Sequence, residues 1–71
     1  MISLEEYPER MVEAEVMMHG GSDLESILRF LKTSGFTPID SIRGVMELTG
    51  WTLAEATRKV HFSETWQELQ Q

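Results

Sequence analysis

At 71 residues, 41% hydrophobic and 25% charged, the chain has room for one globular domain with a thin core, and its composition is not that of a disordered segment. It contains no cysteine, which excludes disulfides, thiolate metal sites and a thiol nucleophile and suits a reducing cytoplasm. The net charge of −6 is uneven: residues 1–28 carry seven acidic side chains against Arg10 alone, while residues 29–60 carry five basic against three acidic, so binding a polyanion would oppose the field of the whole chain.

The opening MISLEEYPER is acidic and has no apolar run, so no signal peptide is expected, and no segment approaches the ~20 apolar residues of a membrane span. "SLEE" at residues 3–6 has the form of a capping box, in which a hydroxyl and a carboxylate three residues apart satisfy two orphan N–H groups of a helix start. A first helix is predicted over about 8–18, with Met11, Ala14 and Met18 on the inward stripe and Val12 and Val16 broadening it. With Met17 added, the end of this helix is apolar almost all round, which would suit a homodimer seam. Gly20-Gly21 stops it, and His19 reads as part of that cap rather than as a metal ligand with Glu15.

"SDLE" at 22–25 starts a second predicted helix, about 23–33, with Leu24, Ile27, Leu28 and Leu31 inward and Gly35 as its left-handed stop. "TPID" at 37–40 places Thr37 at the N-cap and Pro38 at the first helical position, where its missing N–H costs nothing. The third helix, about 38–48, is predicted to turn Ile39, Ile42 and Val45 or Met46 inward. Arg43 then points outward beside Gly44, whose missing side chain would expose backbone. After Gly50 and Trp51, "TLAE" at 52–55 opens a fourth helix, about 53–60, with Leu53, Ala56 and Val60 as its core seam. A short fifth helix, about 64–70, would bring Trp66 and Leu69 to one side. No run alternates with period two, so the expected fold class is all-α: a compact bundle of four to five short helices forming one domain over residues 1–71.

The stretch SIRGVMELTGWTLAEATRKV has the length and turn of a DNA-reading helix-turn-helix. Its second helix, however, offers only Ala54, Glu55, Thr57, Arg58 and Lys59 outside the seam, with no Asn or Gln for base edges, which disfavours nucleic acid as partner. Without gaps, residues 31–60, LKTSGFTPIDSIRGVMELTGWTLAEATRKV, resemble the middle of the C-terminal domain of the bacterial ribosomal stalk protein. The matching positions include Gly35, Ile39, Ile42, Arg43, Thr49, Gly50, Leu53, Glu55, Ala56 and Val60. The resemblance implies a helical hairpin that recruits translational GTPases through Ile42, Arg43 and the Gly50 turn; Met46 and Thr57 stand where that family usually has basic contact residues. "LKTSGF" followed by "ELTGWTLAEATRKV" also resembles three-helix domains of the ubiquitin-associated type, in which the loop holding Gly35 and Phe36 commonly touches partners.

For each of these residues a bland reading stands beside the sharp one. Phe36 suits the hydrophobic contact that accompanies a C-cap, and Trp51 suits a core lid as well as an exposed anchor. Arg43 suits an ordinary solvated surface. Chemistry is poorly supplied: the glutamates of the first helix read as a solvated face, His61 has no Ser or Asp placed for a triad, and no phosphate-cradling loop appears. No enzyme, metal or cofactor is expected. The expected function is non-catalytic docking on another protein through Gly35, Phe36, Ile42, Arg43, Met46, Gly50 and Trp51, with a translation-related factor as partner. The alternatives are an acidic inhibitor or immunity-type protein that masks a basic site, and a nucleic-acid-binding regulator.

Overall fold

A computed structural model describes residues 2–67, which form four helices and no strand among them: α1 (Glu6–His19), α2 (Leu24–Thr33), α3 (Pro38–Thr49) and α4 (Leu53–His61). The all-α expectation is met. α1 starts two residues before the expected position and carries Pro8 in its first turn, where an N–H would have no intrahelical acceptor.

Of the predicted boxes, the one at residues 37–40 is complete, while α1 has Glu5 at its N-cap with no side-chain cap and α2 changes its capping residue. Thr37 and Asp40 form a complete box: Asp40 N–H donates to the Thr37 hydroxyl at 3.1 Å, and Thr37 N–H to the Asp40 carboxylate at 3.0 Å. Thr52 accepts from Glu55 N–H, and Ser3 from Glu6 N–H. At the start of α2 the cap is Asp23 rather than Ser22, its carboxylate accepting from Ser26 N–H at 2.9 Å. That hydrogen bond holds the Asp23 carboxyl below its usual pKa.

Glu25 is thereby released from capping and serves a distant segment. Its carboxylate accepts from the backbone N–H of Glu64 and of Thr65 and from the Thr65 hydroxyl, at 3.0–3.2 Å. Lys32 Nζ donates to the Thr65 carbonyl and lies 4.9 Å from the centre of the Trp66 ring. These contacts strap the segment after α4 across α2 and seat Trp66 in the core. Residues 64–66 are bend and turn rather than the predicted helix, and Gln67 alone carries a 3-10 conformation; residues 68–70 of that prediction, with Leu69, lie outside the described residues.

α2 ends in a full Schellman motif: Phe36 N–H donates to the Leu31 carbonyl and Gly35 N–H to that of Lys32, both at 3.0 Å. The motif needs a left-handed residue, and Gly35 supplies it at φ 103°. Phe36 turns inward beside Leu31, is only 3% exposed, and stacks on Tyr7 at 5.1 Å between ring centres.

Two buried clusters share α2 as a wall. One gathers Met11, Ala14, Ile27, Leu31 and Phe36; the other Leu28, Val45, Ala56, Val60 and Trp66. The expected stripes of α2 are therefore found, and Ala56 and Val60 are buried as predicted. Three expectations are overturned. Val12 and Val16 are exposed rather than a broadened stripe, Leu53 leaves the α4 seam for the surface at 62% exposure, and Ile39 stands 73% exposed. The side of α3 that faces inward is Ser41, Gly44 and Val45, with Leu48 half-buried. Gly44 does not expose backbone to a partner. It makes room for α1, since a Cβ there would sit 3.0 Å from Met11 Sδ and 3.6 Å from the Phe36 ring.

Candidate functional site

The rotation of α3 creates the surface of interest. With Gly44 packed against Met11 of α1 and Val45 buried in the second cluster, Ile39 is left exposed and Ile42 and Met46 stand half-buried at the edge of that cluster. Gly50, at φ 79°, closes α3 by donating its N–H to the Met46 carbonyl at 2.8 Å and reverses the chain within a short joint. α4 then returns along α3, and its first residue, Leu53, comes beside the outer face of that helix. The result is a groove of about 380 Å³ lined by Ile39, Ile42, Arg43, Met46 and Leu53. Four of the five side chains are apolar. The fifth is a guanidinium, with a fixed fork of donors suited to a carboxylate.

The joint is held from both sides. Trp51 N–H donates to the Thr49 hydroxyl at 3.1 Å, the Thr49 hydroxyl donates to the Val45 carbonyl, and Lys59 Nζ lies 5.8 Å from the Trp51 ring centre. Trp51 is half-buried against the second cluster, so it is partly a lid and partly surface. On α4, Glu55 pairs with both Arg58 and Lys59, and the Arg58 hydrogen bond holds the Glu55 carboxyl below its usual range.

Of the residues expected from the sequence, Ile42, Arg43 and Met46 are brought together in the groove. Gly50 and Trp51 shape the joint beside it without lining it. Phe36 is a correction: it belongs to the core under Tyr7, because the Schellman turn folds it back onto Leu31, and it offers no exposed anchor. Gly35 is half-buried in that same turn. Ile39 and Leu53 are the residues that spacing alone missed. A signal for them existed: Ser41, Gly44, Val45 and Leu48 form a second helical stripe, and a glycine inside a helix costs about 1 kcal/mol unless close packing requires it.

The groove holds no nucleophile with a neighbouring base. Among the described residues no three His, Asp or Glu side chains gather as a metal site would require, and no helix is long and apolar enough to cross a membrane. No protein family, no curated protein and no solved structure matches the chain. What is established is a compact all-helical domain of four short helices among its described residues.

Proposed function

We propose that this chain is a non-catalytic docking module whose α3–α4 groove takes an apolar segment of another protein, with Arg43 receiving a carboxylate of that segment. The supporting observation is the pairing of Ile39 and Leu53. Two large aliphatic side chains, 73% and 62% exposed, stand together with Met46 around one guanidinium. Covering each would contribute about 1.5–3 kcal/mol before the costs of association are met. The matching ligand is an amphipathic helix with leucine-type side chains and a glutamate or aspartate one turn away. The likeness of the hairpin to that of the ribosomal stalk domain makes a translational GTPase the first natural partner to try. The nucleic-acid alternative has less to build on, since Arg58 and Lys59 are both drawn to Glu55.

The test uses the full isotope-labelled chain and a short amphipathic peptide of leucine and glutamate. Expected are amide shifts confined to Ile39, Ile42, Arg43, Met46 and Leu53, and their loss in the Arg43→Glu variant. Shifts elsewhere, or equal binding by that variant, would overturn the reading.

A further inference from the structure

A second groove lies on the other flank of α3, against α1. It too has a volume of about 380 Å³, and its floor and walls include Tyr7, Met11, Val12 and Leu48. Two carboxylates stand on opposite walls, Glu15 from α1 and Glu47 from α3, and no basic side chain lines it. The floor is packed from below: the Tyr7 ring is stacked on buried Phe36 with an interplanar angle of 19°, and its hydroxyl donates to Glu47 Oε2 at 3.4 Å. Val12, at 62% exposure, leaves the apolar part open to water.

We infer that this α1–α3 groove is a separate docking site for a basic amphipathic protein segment. A lysine or arginine of that segment lays its aliphatic stem on Met11, Val12 and Leu48 and its charged head between Glu15 and Glu47. The inference does not rest on the reading of the α3–α4 groove. Long basic side chains divide in this way between apolar surface and charge, and an apolar floor between two carboxylates matches both parts. The wider field agrees, because the first 28 residues hold the densest negative charge of the chain. A ligand with acidic groups would meet two like charges here, so the two grooves select partners of opposite sign. The hydroxyl of Tyr7 fits this setting, its pKa pushed up to about 12 by burial first and then by Glu47.

The experiment titrates the full labelled chain with a short amphipathic peptide of leucine and lysine, and separately with its leucine–glutamate counterpart. The expected result is amide shifts at Tyr7, Val12, Glu15, Glu47 and Leu48 with the lysine peptide only, weakening as salt is raised. Glu15→Gln with Glu47→Gln should lower affinity roughly fivefold. Glu9→Gln with Glu13→Gln is the matched control. It removes the same charge from carboxylates that lie against Arg10, and it should change affinity far less. Val12→Ser should weaken binding with no change in the salt dependence. Equal effects of the two double variants would reduce the interaction to diffuse attraction and overturn the inference. So would equal affinity for the glutamate peptide, or the same amides shifting when the chain is merely concentrated, which would make a second copy the occupant.

Discussion

The two grooves that flank α3 are alike in volume and opposite in charge: one surrounds Arg43 with Ile39, Ile42, Met46 and Leu53, and the other sets Glu15 and Glu47 over Tyr7, Val12 and Leu48. They also differ in how they are held. The acidic groove is built on packing, with Tyr7 stacked on a buried ring and Met11 pressed against the gap left by Gly44. The groove around Arg43 is built on chain reversal, with Gly50 and the Thr52 cap bringing Leu53 alongside α3. One helix therefore supplies walls to two grooves of opposite charge, and what separates them is the rotation of α3 about its axis. That rotation follows from Gly44, which admits Met11 of α1, and from Val45, which is buried in the second cluster, and it leaves Ile39 outside.

The comparison can be broken most forcefully at Phe36. Phe36→Ala should cost about 3–5 kcal/mol in urea unfolding, a large part of the stability of so small a domain. In whatever fraction stays folded, Tyr7 loses its stacking partner, so the acidic groove should be disturbed far more than the groove around Arg43. A loss below about 1 kcal/mol would place Phe36 back on the surface, as a docking anchor requires.

Gly44 tests the rotation itself. Gly44→Val should cost about 1–3 kcal/mol, because a branched side chain meets both the sulfur of Met11 and the ring of Phe36. Gly44→Ala should stay within about 1 kcal/mol of neutral, since the flexible end of Met11 can yield to one methyl and alanine is the better helix former. A valine variant as stable as the alanine one would mean that α1 does not approach α3 at this point.

How much of this was legible follows from the same helix. Starts and stops were readable because a cap is a local event: Thr37 and Asp40 are three residues apart and meet only each other. Glu25 was misread for the complementary reason. Its partners, the backbone of Glu64 and Thr65, lie about 40 residues away, and no local spacing encodes them; Asp23 had meanwhile taken the capping role. On α3 the spacing was ambiguous. Ile39, Ile42 and Val45 or Met46 make one helical stripe and Ser41, Gly44, Val45 and Leu48 another, with Val45 common to both, and periodicity gives both the same standing. Choosing the larger residues for the core inverted Ile39 while leaving Arg43 correctly outside. Leu53 was misassigned because it stands at the edge of the Ala56–Val60 seam, where the first turn of α4 has already left the cover of the other helices.

A smaller effect concerns the pH response of the acidic groove. The Tyr7 hydroxyl is held protonated to about pH 12 by burial, by Glu47 and by Asp40, with Arg43 acting the other way. Its raised folded pKa contributes stability that is full below the ordinary value of 10 and is lost as the pH rises from 10 towards 12. Tyr7 is the one tyrosine of the chain, so its phenolate absorbance reports the site directly. Glu47→Gln should bring the midpoint down and shrink the alkaline loss of stability. A midpoint that does not move would mean that Glu47 is turned away from the hydroxyl in solution.

The smallest expected effect on stability is also the sharpest discriminator of the two grooves. Ile39 is the second residue of α3 and largely exposed, so Ile39→Glu should change unfolding free energy by no more than about 0.5 kcal/mol. A carboxylate near the positive end of a helix partly offsets the lost apolar contact. The same change should abolish binding of the leucine–glutamate peptide, because it removes an apolar wall and sets a negative charge one turn before Arg43. Binding of the leucine–lysine peptide on the α1 side should be unaffected. Had Ile39 faced inward, as spacing alone suggests, a buried carboxylate there would cost several kcal/mol and both peptides would fail together. Loss of one peptide with stability intact fixes the rotation of α3 and the independence of its two flanks in a single variant.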